Sequence, residues 1–172
     1  NTCYARKLRN NFFPKREVIN SISSLQKEVI EGHLLGDGSL VRSKLTHNTY
    51  FCIVRKGTDI EYLEWSKELL DKFISSDIKK KSTFDTRTNK WYFSAKLQSI
   101  RHTSFNDIHT AWYVNSKKIV PRNLVLTPLI LTIWFLDDGY IRTTCSSHRF
   151  QIKLSTMGFS KEDVIFLTKL LN

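Results

Sequence analysis

Long apolar runs are missing from these 172 residues: none approaches the roughly 20 residues that cross a bilayer as a helix, so no membrane-spanning helix is expected. Cysteine is scarce as well. Cys3, Cys52 and Cys145 are odd in number and far apart, with no CxxC and no Cys/His zinc spacing. Three reduced thiols in a reducing compartment are the expectation. Three prolines and six glycines leave no room for a long flexible linker. Negative charge is also short: 16 Asp and Glu stand against 27 Lys and Arg, a net charge of +11. An excess this large points to a polyanionic partner, either nucleic acid or an anionic membrane face. The first residue is Asn1 and no signal-peptide core follows, so the chain reads as a piece of a longer precursor.

What is present is enough apolar material, 41% of residues, for one compact core and too little for two ordinary domains. Residues 1–18 are polar and basic and read as an extended arm, with the organised chain beginning near 23. Ser23 and Gln26 form a capping box that opens a helix to Asp37, stopped by Gly38. Strands are predicted at 39–44 and 48–55. A second capping box, Thr58 with Glu61, opens a helix to about Ser75. Residues 80–87 and 90–97 alternate around Thr88-Asn89 as a hairpin, with Trp91, Phe93, Ala95 and Leu97 on one face. A helix follows at 103–114. Thr127-Pro128 starts another, with Pro at its first position, ending at Asp138. Strands near 140–145 and 149–156 and a helix from Ser160 complete the pattern. Trp65, Trp91, Trp112 and Trp134 are expected as core anchors, and His33 as a residue packed within its helix.

The strongest signal is an internal repeat at an offset of 101 residues. Asp37-Gly38 falls on Asp138-Gly139, Gly57 on Gly158, and Phe51 and Ile53 on Ile152 and Leu154. Ile30 through Asp71 matches Leu131 through Asn172 without a gap. One Asp-Gly after a helix means little, because both residues are common there. Two in register, each followed by a hairpin and a Gly before the next helix, are far more specific.

Ile30-Glu31-Gly32-His33-Leu34-Leu35-Gly36-Asp37-Gly38 resembles the LAGLIDADG motif, and Leu131-Thr132-Ile133-Trp134-Phe135-Leu136-Asp137-Asp138-Gly139 resembles its second copy. Asn115-Ser116-Lys117-Lys118-Ile119-Val120-Pro121 is similar to the lysine-bearing segment of intron-encoded enzymes with both motifs in one chain. The resemblance, over residues 24–172, is to single-chain LAGLIDADG homing endonucleases. It implies an α+β fold of two pseudo-symmetric αββαβ-type units whose antiparallel sheets form a DNA-binding saddle. The segments are then an arm at 1–22, a first unit at 23–126 and the start of a truncated second unit at 127–172. The motif helices are expected side by side, with Gly32 and Gly36 allowing close approach and Ile133 and Asp137 at the matching places. The second unit is expected to need roughly 50 more residues, or a partner, to complete it.

The resemblance implies metal-assisted cleavage of double-stranded DNA by Asp37 and Asp138. A helix C-terminus and a second carboxylate make a negative site that suits a hard cation, Mg²⁺ or Mn²⁺, bound by oxygen. Asp137 is expected as a packing neighbour. The resemblance marks Lys118 for orienting water or offsetting transition-state charge. Arg149, Gln151, Lys153 and Ser155 alternate with Phe150, Ile152 and Leu154, a polar face for the major groove above an apolar face for helices. Asn48 and Tyr50 occupy matching positions in the first unit. Arg42, Lys44, Arg55, Lys80, Lys81, Arg87, Lys90, Lys96 and Arg142 add charge, mostly for phosphates. The alternative, from family maturases, is an RNA-binding protein for intron or ribosomal RNA on the same scaffold. The resemblance also implies an organellar setting, mitochondrial before chloroplast. A membrane-surface role is not expected, because the charge lies on strands.

Overall fold

The computed structural model describes residues 21–144 and 149–172. The basic arm, Cys3, Cys145 and His148 lie outside the described residues. Cys52 is a free thiol. No described helix is long and apolar enough to cross a membrane.

Helix α1 (Ser24–Leu35) begins with the reciprocal cap read from sequence: Gln26 N–H donates to the Ser23 hydroxyl at 3.2 Å, and Ser23 N–H to the Gln26 side chain at 3.1 Å. It ends two residues before Asp37, which lies beyond the helix. Strands β1 (Gly38–Arg42) and β2 (Thr49–Lys56) form the first hairpin. Helix α2 (Ile60–Leu70) is capped at Asp59 without a side-chain hydrogen bond, so the expected Thr58–Glu61 box is absent. The Thr58 hydroxyl instead donates to Asp59 Oδ1 at 2.9 Å, and Asp59 Oδ2 accepts from Arg55. The helix also stops short of Ser75, giving way to a single 3₁₀ turn at Asp71–Phe73.

Strands β3 (Lys79–Asp85) and β4 (Lys90–Gln98) form the second hairpin, with Asn89 in the left-handed region that asparagine tolerates. Helix α3 (Ser104–Trp112) and a two-residue hairpin, β5 (Tyr113–Val114) with β6 (Lys117–Lys118), follow. The first unit thus runs αββαββα, one strand and one helix beyond the αββαβ outline. Its sheet order is β1-β2-β4-β3, all antiparallel. Helix α4 (Pro128–Asp138) has Thr127 accepting from Ile130 N–H at 3.2 Å. Strands β7 (Gly139–Thr144) and β8 (Arg149–Leu154) pair, and helix α5 (Lys161–Leu171) starts at the Ser160 cap. Helix, Asp-Gly, hairpin and helix therefore recur in the second unit.

Directly opposed residues of an antiparallel pair project to one side of the sheet. In the first unit Leu40, Phe51, Ile53, Ala95 and Leu97 share the inner side and are buried with Leu63, Leu70, Phe105 and Trp112 of the covering helices. Each leucine, isoleucine or phenylalanine so buried contributes about 1.5–3 kcal/mol. Two expectations about aromatics do not hold. Trp112 and Trp134 are core residues, but Trp65 and Trp91 lie at the surface. Trp91 and Phe93 lie on the inner side of β4, near the hairpin tip, and remain exposed. The apolar face of β8 is likewise uncovered: Phe150 is 74% and Ile152 68% exposed, and only Leu154 packs against the core.

Candidate active site

The two motif helices lie against each other where glycine removes a side chain. A Cβ on Gly32 would stand 2.8 Å from Ile133 Cβ, and one on Gly36 would stand 2.3 Å from Asp137 Cβ. Packing is therefore close but asymmetric: small residues come from α1, and side chains from α4 fill the space. That contact brings Asp37, just beyond α1, to Asp138, the last residue of α4.

Asp138 has its carboxyl pushed up, first by burial and then by the charges of Asp37 and Asp137. Two carboxylates at one place, neither drawn fully into the core, are what a hard cation needs when phosphate and water complete its shell. Among the described residues no group of three or more His, Cys, Asp or Glu forms a closed metal cage. The donor set fits an open site using one or two carboxylates.

Lys118 reaches the same spot from β6. Its Nζ donates to the carbonyl of Gly38 at 2.8 Å and of Gly36 at 3.4 Å. Burial lowers its pKa, while Asp138, Asp37 and Asp137 act in the opposite sense. The lysine singled out from sequence is thus held beside the aspartates by the backbone on either side of Asp37.

Arg55 departs from expectation. Counted among the groove-facing charges, it pairs across with Ala95 and so points to the inner side of the sheet. Its Nη1 donates to Asp37 Oδ2 and to the Asp137 carbonyl (3.1 Å), its Nη2 to the Leu136 carbonyl (3.1 Å), and its Nε to Asp59 Oδ2 (3.1 Å). Burial opposes its charge, but Asp37, Asp137 and Asp59 outweigh that and raise its pKa. It is the counter-ion of the acidic cluster.

Sequence reasoning missed most of the layer beneath. Asp137 has a fully buried side chain. Its Oδ2 accepts from His33 Nδ1 at 2.9 Å and from Asp37 N–H at 3.3 Å; its Oδ1 accepts from the Tyr62 hydroxyl at 2.9 Å. His33 Nε2 lies 3.2 Å from Ser66 Oγ. Burial first, then Asp137, raises the Tyr62 pKa. The available signal was a polar residue in each motif helix at a core-facing position, His33 and Asp137.

On the outer side of the first sheet lie Tyr50, Lys81, Lys90 and Lys96, joined by Lys56, which sequence reasoning did not single out. Lys80 and Arg42 are on the inner side, opposite Ala95 and Thr49. Lys44, Asn48 and Arg87 are in the connections between strands. In the second unit Arg142 pairs with Gln151 and Tyr140 with Lys153, which places these positions on one side; the backbone of Thr144 pairs with that of Arg149.

The LAGLIDADG DNA endonuclease family model matches residues 27–172. The chain belongs to that family. It is 30% identical over 165 residues to a cytochrome b mRNA maturase bI2 of Debaryomyces hansenii, covering 92% of this chain and 61% of that protein. It is 29% identical over 162 residues to the DNA endonuclease I-ChuI of Chlamydomonas applanata, covering 88% of this chain and 73% of that enzyme. The structure of the homing endonuclease I-WcaI bound to its DNA recognition sequence superposes with a TM-score of 0.79. At 24% identity, over 97% of this chain and 77% of that one, this likeness establishes the fold. The chain spans less than two thirds of the maturase's length.

Proposed function

We propose that this chain is the recognition and cleavage part of a site-specific endonuclease that cuts double-stranded DNA with a divalent cation. The observation that carries this reading is the meeting of Asp37, Asp138 and Lys118 at the paired helix ends. Phosphodiester hydrolysis needs oxygen donors near the scissile phosphate and positive charge where charge develops. Asp37 and Asp138 supply the oxygens, and Lys118 supplies the charge. Bound Mg²⁺ or Mn²⁺ would contribute Lewis-acid stabilisation and a more acidic water. The outer sheet faces, with Tyr50, Lys56, Lys96, Arg142, Gln151 and Lys153, suit a groove and its phosphates.

A second reading has an observation of its own: the relative at 30% identity is named as an mRNA maturase. On that reading the same scaffold binds intron or ribosomal RNA without cutting DNA. A relative named for cytochrome b messenger RNA also favours an organellar gene, mitochondrial before chloroplast. The experiment is a nicking assay with Mg²⁺ on intronless target DNA beside filter binding on structured RNA. Cleavage of the DNA supports the endonuclease. Tight RNA binding with intact DNA supports the maturase reading instead.

A further inference from the structure

The network around Asp137 is one-sided. Among the described residues each donor to its carboxylate comes from the first unit: His33 from α1, Asp37 N–H from just beyond α1, and Tyr62 from α2. Arg55 Nη1 lies 3.5 Å from Oδ1 and also holds the Asp37 carboxylate. The 101-residue repeat shows what the second unit has in their place. His33 falls on Trp134, Arg55 on Thr156, Tyr62 on Asp163, Ser66 on Leu167, and Asp137 itself on Gly36. None of these five positions keeps its chemistry. Asp163 is engaged elsewhere, with Arg122 at 3.0 Å.

A buried carboxylate persists only where donors surround it, and one so held is rigid. Asp137 reaches Asp37 by two routes, directly through the backbone N–H and indirectly through Arg55. Among the described residues Asp138 has no matching support: Lys118 sits nearby, but it donates to Gly36 and Gly38.

We infer that Asp137 is a positioning residue, supplied by the second unit, that holds the first unit's Asp37 in place and leaves Asp138 to be placed by its own helix. The inference rests on the endonuclease reading. It deepens that reading by making the two half-sites unequal: disturbing the clamp slows the cut that depends on Asp37 and spares the cut that depends on Asp138.

The test is a strand-resolved, single-turnover nicking assay with the full natural chain on a supercoiled plasmid carrying the target. Asp37→Asn and Asp138→Asn first assign each strand to its aspartate. Asp137→Asn is then expected to slow the Asp37-dependent cut by about 10²-fold, the effect of an ångström-scale misplacement, and to accumulate open circles nicked on the other strand. Tyr62→Phe, a milder change that removes one hydroxyl, keeps the test usable if Asp137→Asn does not fold. It is expected to show the same strand bias at smaller size. Equal slowing of both strands would reduce Asp137 to a packing residue and overturn the inference while leaving the endonuclease reading intact. A parental chain that cuts neither strand would overturn both.

Discussion

The two units share a backbone plan and differ in what surrounds the helix ends. In the first, the aspartate lies beyond its helix, its carboxylate is held by Arg55, and four strands under three helices support it. In the second, the aspartate is the last helical residue, no arginine among the described residues pairs with it, and a two-stranded sheet shows its apolar face. A repeat therefore conserves where a carboxylate sits more readily than how it is supported. Backbone course follows from turn and cap residues that recur at the offset. Support depends on side chains from several elements, and those need not recur.

The largest effect expected from breaking this comparison is loss of function. Asp37→Asn and Asp138→Asn should each abolish double-strand cutting while binding of the duplex persists, because removing a negative charge near phosphate does not weaken attraction. Gel-shift titration beside plasmid linearisation checks it. Either variant cutting at the parental rate would remove that aspartate from the site.

Next comes salt. If both outer faces hold phosphates, with roughly 6–10 contacts, affinity should fall about 10³–10⁵-fold between 50 and 200 mM salt. Filter binding measures the slope. Arg142→Ala and Lys96→Ala, one on each unit, should flatten it by similar amounts. A response to one alone would mean that one sheet carries the duplex.

Stability should separate the units at their glycines. Gly36→Ala forces a methyl onto Asp137 and should cost about 1–3 kcal/mol, as overpacking does. Gly158→Ala meets nothing within 4 Å and should stay within about 0.5 kcal/mol of the parent. Urea unfolding decides. Equal costs would mean that the helix pair is no tighter than the exposed turn.

The smallest effect is electrostatic. The folded pKa of Asp138 is raised by burial and by its acidic neighbours. Its contribution to stability is thus present below the unfolded carboxyl pKa, about 3.9, and is lost as pH rises through the folded value. Asp138→Asn should therefore raise the thermal midpoint modestly at neutral pH, with solvent screening keeping the gain small. The gain should vanish in acid. A drop at neutral pH would contradict the repulsion.

Much of this was readable in one dimension. The Ser23–Gln26 box, Thr127-Pro128, the Ser160 cap and the Asn89 turn are local devices whose partners lie within a few residues. The repeat in register located both aspartates, and the family resemblance marked Lys118. The Thr58–Glu61 box failed because the helix starts one residue later, at an Asp59 cap, and the Thr58 hydroxyl donates to the Asp59 carboxylate. Trp91 failed as a core anchor because strand alternation says which side a residue faces, not whether a helix extends far enough to cover it; Trp65 lies on an exposed part of its helix, stacked on Tyr62. Arg55 was misjudged for a similar reason: a basic residue on a strand counts as groove-facing until the register assigns its side.

The sequence by itself determined the element pattern, the two-unit repeat and the paired aspartates, because periodicity, caps and a constant offset are properties of the chain alone; the fold class and Lys118 came from the resemblance that its motifs carry. Only the tertiary structure decided that Asp137 is buried among His33, Tyr62 and Arg55, and that Asp37 is clamped while Asp138, among the described residues, is not. Those contacts join residues as far as 104 apart, and no local spacing encodes which polar groups will meet once two helices pack through a pair of glycines.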